Sequence, residues 1–234
     1  KKLLPGVLVQ YRQGGSGEWS ETFNQPWWSF QTVAKAGSER QFAGSEADAV
    51  EELDLLLKQV VQEQSVADVA VGAFLSGGID SSSIVAIMQS VSERPVESFT
   101  IGYDDVSYDE SSDAKRIATH LGTNHHEWII TARDAMGVIP ELPTLYDEPF
   151  ADASQIPTTL VSRFARSHVT VSLSGDGGDE LFGGYNRHYW APRLLRKFGN
   201  IPAGLRAAVS GGVKSISPSA WDSALSAVEF LLPN

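Results

Sequence analysis

Residues 69–82 read Val69-Ala70-Val71-Gly72-Ala73-Phe74-Leu75-Ser76-Gly77-Gly78-Ile79-Asp80-Ser81-Ser82. The first half, Val69–Leu75, is a continuous apolar run, which is typical of a strand buried on both faces of a sheet. A helical pattern over Ser81–Val91 follows after a glycine turn. A buried strand that leads through a turn into a helix is the repeating unit of a parallel α/β sheet. This stretch therefore indicates the fold class.

The rest of the chain repeats this alternation on both sides of the quoted stretch. A helix is predicted from Ser45 to near Gln64, because Ser45-Glu46-Ala47-Asp48 resembles a capping box. Downstream, we expect strands over Val96–Ile101, His125–Ile130 and Val169–Leu173, and helices over Asp109–Leu121, Thr131–Ile139 and Thr158–Ser167, with a loop from Pro140 to Pro157. Strands that alternate with helices pair in parallel through right-handed crossovers. The predicted fold is α/β, a parallel sheet flanked by helices on both faces.

The first 44 residues have a different pattern. We expect a short strand pair around Val7–Tyr11, followed by an irregular stretch that contains Trp19, Trp27 and Trp28. Two interpretations stay open for residues 1–44: a linker or the tail of an upstream domain, or an arm whose tryptophans pack on the core. The predicted main domain is residues 45–234.

Composition excludes several classes of protein. With 18 basic and 29 acidic residues the formal net charge is −11, which argues against a nucleic-acid partner bound by bulk charge. The chain has no cysteine, so disulfides, thiolate nucleophiles and cysteine-ligated metals are excluded within it. No apolar run approaches the roughly 18 residues of a membrane span. We expect a cytoplasmic protein with no membrane partner.

The turn Ser76–Ser82 has the properties of an anion site. Gly77 and Gly78 allow the backbone N–H groups to point inward, and the following helix adds the positive end of its dipole. Hydroxyl donors are present at Ser76, Ser81 and Ser82. Asp80 would repel a bare phosphate, which suggests a magnesium ion between them. The turn is not a Walker sequence, and a Gly-Ser turn with a capping aspartate is the alternative.

A second glycine-rich segment, Ser174–Tyr185, follows the last predicted strand. It contains Asp176, Asp179 and Glu180 separated by glycines. Loops at the carboxyl ends of parallel strands are where such sheets bind ligands. The segment predicts a further metal ligand and a carboxylate near a reacting centre. A calcium loop is disfavoured because the EF-hand spacing is absent, and a plain acidic turn remains the other alternative.

Taken together, these motifs resemble a known family. Phe74–Ser82 resembles the pyrophosphate-binding loop of the N-type ATP pyrophosphatases. The synthetase domain of glutamine-hydrolysing asparagine synthetases is similar in further segments that occur in the same order: Ser98–Gly102, Asp109–Glu110 to His125–Glu127, Tyr146–Pro149 and Ser174–Tyr185. The resemblance runs from about Phe42 to Tyr189. It implies a fragment that lacks the N-terminal glutaminase domain and is truncated at its C-terminus.

The resemblance implies a ligase that uses ATP and Mg²⁺. A carboxylate, in the first place the aspartate side chain, attacks the α-phosphorus and releases pyrophosphate, and ammonia from the glutaminase domain then displaces AMP. It assigns pyrophosphate to the Ser76–Ser82 loop, adenosine to Phe74 and Ile101, and AMP to Ser174 and Gly175. Asp80 and Asp179 are the implied magnesium ligands. Asp176 stands where the family has a glutamate that acts in the adenylate step.

Several alternatives stay open at this point. Aspartate-using members of the family carry a basic residue near Ser154, where this chain has Asp152, so a sugar acid is another acceptor. NAD or GMP synthetases and tRNA-modifying adenylases share the first loop, and a nucleotide-binding fragment without turnover is the non-enzymatic reading. A homodimer is compatible with the resemblance.

The basic residues between Arg187 and Lys214 have two interpretations: a wall that faces a polyphosphate, or a solvated helical face. The five histidines are expected to have structural roles.

Overall fold

The computed structural model describes residues 2–104, 109–146, 148–149, 151–199, 202–217 and 219–221. The chain divides into two compact units, residues 1–175 and 176–234. In the first unit the strands and helices are β1 (Val7–Gln13), β2 (Trp19–Pro26), α1 (Phe30–Glu39), α2 (Glu46–Gln64), β3 (Val71–Phe74), α3 (Ile79–Ser90), β4 (Glu97–Tyr103), α4 (Ser111–Leu121), β5 (Asn124–Ile130), α5 (Ala132–Val138), α6 (Leu142–Leu145), α7 (Gln155–Arg166) and β6 (Val171–Leu173).

The central sheet has the strand order β5-β4-β3-β6, and every pair in it is parallel. One face packs on α2, α3 and α4 through a core that includes Ala73, Leu75 and Val85. The other face packs on α5 and α7, where Phe99 contacts Ala165 and Ile130 contacts Leu160. Successive strand residues thus enter opposite cores, as expected for strands buried on both faces. The predicted fold class is confirmed.

Most predicted elements are present with shifted ends. The strand β3 is shorter than predicted, because both ends of the predicted run, the exposed Val69 and the buried Leu75, lie outside it. The helix α4 ends at Gly122, whose φ of +74° suits a left-handed C-cap, as predicted. The loop predicted from Pro140 to Pro157 was wrong in two places, because the short helix α6 lies within it and α7 already begins at Gln155. Pro157 is tolerated in the first turn of α7, since the N–H groups of a first helical turn have no intrahelical acceptor.

The N-terminal arm is more regular than predicted. The strands β1 and β2 form an antiparallel hairpin, and α1 follows with Ser29 as its N-cap. No residue of α1 is buried. Its apolar residues Phe30, Val33 and Ala34 have helical spacing, but the pattern is too short to stand out in the sequence.

The second unit contains three helices, α8 (Gly178–Phe182), α9 (Asn186–Phe198) and α10 (Ala203–Lys214), among its described residues. The basic side chains of α9 are exposed, and two arginines of the unit lie over aromatic rings, Arg187 over Tyr185 at 4.0 Å and Arg193 over Tyr189 at 3.3 Å. This favours the solvated helical face over a wall facing a phosphate. In the described part of the chain, no helix is long and apolar enough to cross a membrane.

An ionic cluster occupies the amino end of the sheet. Glu97 Oε2 lies 2.6 Å from His126 Nε2, and Asn124 Nδ2 donates to both Glu97 oxygens at 2.8 and 2.9 Å. Burial of Glu97 opposes its ionisation, but the hydrogen bonds from Asn124 and His126 and the charges of His126 and His168 outweigh it, so the pKa of Glu97 is lowered. This cluster lies at the edge opposite the loops after β3 and β6.

We predict that Glu97 makes stability depend on pH in the acidic range. Because its folded-state pKa is lowered, the stabilisation is complete above the unfolded-state pKa of about 4.3 and is lost as the pH falls through the folded-state pKa. Between pH 6 and pH 3 the urea midpoint of Glu97→Gln should therefore fall less than that of the unchanged chain. Glu93→Gln, at an exposed position, controls for the change in net charge. Parallel falls in Glu97→Gln and the unchanged chain would contradict this role.

Candidate functional site

The sheet order places two loops side by side. From β3 the chain moves outward through β4 to β5, and it then returns to add β6 on the opposite side of β3. This reversal is a topological switch point, where open parallel sheets bind ligands at the carboxyl ends of their strands. The loop after β3 is Leu75–Gly78, and the loop after β6 begins with Ser174 and Gly175. The two motifs singled out in the sequence therefore begin at this switch point.

The loop after β3 is ordered by its own hydroxyl groups. Ser81 Oγ accepts from the Ser76 N–H at 3.1 Å and lies 2.8 Å from Ser76 Oγ, which accepts from the Gly78 N–H at 3.2 Å. Ser82 Oγ donates to the Gly78 carbonyl at 2.6 Å. Gly78 is the N-cap of α3 and provides no side-chain cap for its first turn. The N-terminus of this twelve-residue helix therefore presents backbone N–H groups at the loop, which suits a phosphate group.

The loop after β6 lies against the start of α3. A Cβ atom built on Gly175 would stand 2.6 Å from Ser81 N and 2.8 Å from the carbonyl carbon of Asp80. Only glycine permits this approach without a shift of the backbone. The structure thus brings together five of the residues singled out in the sequence, Ser76, Gly78, Asp80, Ser81 and Gly175.

A cavity of about 890 Å³ opens beside the loop, between the ends of β3 and β4 and the helices α5 and α7. Phe74 and Ile101, the residues assigned to adenosine, both line it, together with Ser76 of the loop. Its apolar walls also include Phe99, Ala135 and Val161. A large, mainly apolar cavity with a few polar groups at one end is typical of a small-molecule site.

Most residues of the cavity wall were not singled out as site residues from the sequence, and three of them are polar residues on or beside β4 and α4. Thr100, Asp104 and Glu110 line the cavity at the ends of β4 and the start of α4. Burial raises the pKa of the Tyr103 phenol, and the negative charge of Glu110 raises it further. The position of Thr100 next to Ile101 on β4 follows from the sequence, but its hydrogen-bond partner, the carbonyl of Leu75, lies in the loop after β3 and leaves no local signal.

The acidic segment of the second unit folds into a compact turn. Gly177, with a φ of +95°, is the N-cap of α8, and Gly183, with a φ of +69°, is its C-cap. Asp179 lies in the first turn of α8, and its backbone carbonyl accepts from the Gly184 N–H at 3.0 Å. A side chain on Gly184 would collide with the Asp179 carboxylate. Glu180 accepts a short hydrogen bond from the Tyr185 hydroxyl, which lowers the pKa of Glu180.

The two predicted magnesium ligands, Asp80 and Asp179, are both carboxylates. Asp80 lies in the first turn of α3, within the Ser76–Ser82 loop, and Asp179 lies in the first turn of α8 in the second unit. Among the described residues, no group of three or more His, Asp or Glu side chains is placed to hold a metal ion. Magnesium commonly takes one or two carboxylates and completes its shell with water and substrate phosphates, so a single carboxylate on a phosphate loop fits it.

Three of the histidines lie away from the cavity. His125 Nδ1 is 2.9 Å from the buried Ser98 Oγ, and burial lowers the pKa of His125. His126 stacks on Phe99 with 5.1 Å between ring centroids, and His168 lies 4.1 Å from His126. These contacts are structural, as expected from the sequence.

The fold and the two adjacent loops define an α/β protein with a candidate ligand site at the switch point of its parallel sheet. Residues 52–229 match the family model described as asparagine synthase. The chain belongs to the asparagine synthase family.

Three curated relatives illustrate the match. The chain is 44% identical over 140 residues to a putative glutamine-hydrolysing asparagine synthetase 2 of Methanocaldococcus jannaschii, which covers 59% of this chain and 27% of the relative. It is 35% identical over 206 residues to asparagine synthetase 1 of Bacillus subtilis, with 88% and 30% covered. It is 40% identical over 156 residues to a putative asparagine synthetase of Mycobacterium tuberculosis, with 67% and 24% covered. The matched regions span less than a third of each relative.

Among solved structures, an NH3-dependent NAD synthetase from Campylobacter jejuni is similar with a TM-score of 0.41 and 15% sequence identity. The similarity covers 79% of this chain and 97% of that chain.

Proposed function

We propose that this chain is the ATP-dependent, amide-forming domain of an asparagine synthetase. The observation that carries the proposal is the close approach of the loop after β6 to the Ser76–Ser82 loop, at Gly175 and Ser81. A cavity of about 890 Å³ lies beside this contact. Membership of the asparagine synthase family and the names of the relatives support the same reaction. The acceptor is a carboxylic acid, with the aspartate side chain as the first candidate and a sugar acid as the second.

The proposed reaction has two steps. A carboxylate oxygen bonds to the α-phosphorus of ATP while the bond to the β-phosphate oxygen breaks, so that pyrophosphate leaves into the Ser76–Ser82 loop. Ammonia then attacks the acyl carbon and loses a proton, and the bond between carbon and the AMP oxygen breaks. The N–H groups at the start of α3 stabilise the charge that develops on the leaving pyrophosphate.

Each site residue has a role in this proposal. Phe74 and Ile101 hold adenosine in the cavity, and Ser174 and Gly175 contact AMP. Asp80 and Asp179 would hold Mg²⁺, which neutralises phosphate charge when bound. Asp176 acts in formation or breakdown of the adenylate.

We propose that ammonia comes from a glutaminase domain of a longer parent chain, joined through residues 1–44, with residues 45–234 as the synthetase domain. Three of the relatives are named as glutamine-hydrolysing. Glutamine hydrolysis through a cysteine does not occur on this chain, which has none. The cytoplasmic location and the homodimer stay predictions.

The test is ATP–pyrophosphate exchange with a panel of carboxylic acids that includes aspartate, glutamate and hexuronic acids. We expect exchange that depends on one of these acids. Saturable ATP binding without exchange under any acid would favour a nucleotide-binding fragment, and an absence of ATP binding would contradict the proposal.

We further predict that Asp80→Asn weakens ATP binding only when magnesium is present. The substitution keeps the shape of the side chain and removes one ligand charge. Calorimetric titrations with ATP, in magnesium and in EDTA, measure the difference. Asp68→Asn, an exposed acid just before β3, is the matched control for net charge. Equal loss of affinity in both buffers would make Asp80 a structural residue.

A further inference from the structure

The buried hydroxyl group of Thr100 connects β4 to the start of the loop after β3. Thr100 is 3% exposed, and its hydroxyl donates a short hydrogen bond to the carbonyl oxygen of Leu75. Leu75 is the last residue before Ser76, and its N–H donates to the Phe99 carbonyl at 2.9 Å. Both polar groups of the Leu75 backbone are therefore held by β4, beyond the last paired residue of β3, Phe74.

We propose that Thr100 is a positioning residue of the nucleotide site. It fixes the direction of the Leu75 peptide and thereby the point at which the chain turns into Ser76-Gly77-Gly78. The inference rests on the proposed function for its effect on ATP, and it concerns a residue that acts through the loop.

The loop gives this tie a clear consequence. The hydrogen bonds from Ser76 and Gly78 to the Ser81 and Ser76 hydroxyls need the Ser76 backbone at a fixed distance from the first turn of α3. Gly175 packs closely against that turn, since a Cβ atom on it would stand 2.6 Å from Ser81 N. A displaced Leu75 carbonyl would shift Ser76 relative to that turn and would therefore disturb the loop hydrogen bonds.

The chain offers a matched control on the same strand. Ser98 lies two residues before Thr100, is fully buried, and bonds Thr123 Oγ1 and His125 Nδ1, both at 2.9 Å. It thus faces the same side of the sheet but has its partners around β5. Ser98→Ala removes a buried hydroxyl without touching the loop.

The experiment compares Thr100→Val, Thr100→Ser and Ser98→Ala in the full chain. The first measurement is hydrogen exchange of the Ser76, Gly77 and Gly78 amides without ligand. We expect exchange about 10-fold faster in Thr100→Val, since a buried acceptor loses its partner, and near-normal exchange in the other two. The second measurement is ATP–pyrophosphate exchange, where Thr100→Val should raise the KM for ATP about 10-fold and Thr100→Ser should restore it.

The outcomes separate the two claims. Unchanged loop exchange in Thr100→Val, or equal acceleration in Ser98→Ala, overturns the positioning role. Faster hydrogen exchange of the loop amides that is confined to Thr100→Val supports the positioning role. If the unchanged chain catalyses no ATP–pyrophosphate exchange, that result overturns the proposed function but leaves the positioning role standing. If Thr100→Val does not fold, Thr100→Ala replaces it in the experiment. We expect Thr100→Ala to accelerate hydrogen exchange in the loop amides alone. Equal acceleration throughout the chain would contradict the positioning role.

Discussion

Gly175→Ala should reduce ATP–pyrophosphate exchange by about 100-fold or more. The new methyl group would stand 2.6 Å from Ser81 N and 3.0 Å from Ser81 Cα, so the backbone at the start of α3 or the loop after β6 must shift. Neither contact is with the end of a flexible side chain, which excludes an inexpensive adjustment. Misplacement of a reacting group by about 1 Å can cost about 100-fold in rate.

The matched control is Gly137→Ala on α5, where a Cβ atom would have no neighbour within 4 Å. Alanine is also favoured over glycine in a helix, so this control should keep its rate of ATP–pyrophosphate exchange and its thermal stability. Thermal unfolding of both variants shows whether Gly175→Ala is still folded at the assay temperature. Exchange within twofold of the unchanged chain in a folded Gly175→Ala variant would show that the two loops do not form one site.

Asp176→Asn should lower turnover by about 100-fold and leave ATP affinity nearly unchanged. A group that acts mainly in the transition state affects the rate constant more than the ground-state complex. The size is that of a directly involved acid–base or electrostatic group. Steady-state turnover with ammonium as the nitrogen donor, together with the Kd for ATP, measures both quantities in the full-length parent.

Asp176→Glu sharpens this prediction, because it restores the side-chain length that the family resemblance implies. We expect it to retain more activity than Asp176→Asn. If Asp176 serves only to stabilise the glycine turn, ATP affinity and thermal stability should fall together with the rate in the asparagine variant. Full turnover in Asp176→Asn would remove Asp176 from the mechanism.

The sequence predicts the elements of the sheet well, for a physical reason. The run Val71–Phe74 is apolar at every position because both faces of β3 are covered, and the glycine turn after it has a local signature. The sheet order leaves no such local signature. It places the loop after β6 beside the loop after β3, and the need for glycine at position 175 arises only from that placement.

Other features had signals too weak or too distant to be found. The helix α1 has apolar residues at helical spacing, Phe30, Val33 and Ala34, but the pattern is short and no residue of the helix is buried. Thr100 lies within the segment Ser98–Gly102, but its hydrogen-bond partner is 25 residues away, at Leu75 in the loop after β3. The hydrogen bond between His126 and Glu97 and the ring contact of His168 with His126 likewise depend on tertiary structure. Sequence patterns report burial more directly than they report contacts between side chains.

The most direct test of the central claim follows an oxygen atom. If a carboxylate oxygen attacks the α-phosphorus, that oxygen stays with AMP when ammonia forms the amide. The carboxylic acid that supports ATP–pyrophosphate exchange is labelled with ¹⁸O at both carboxylate oxygens. It is supplied with ATP, magnesium and ammonium, and the products are analysed by mass spectrometry. The account predicts one ¹⁸O atom in each AMP formed and none in pyrophosphate. Label in inorganic phosphate together with ADP, or unlabelled AMP, would contradict it.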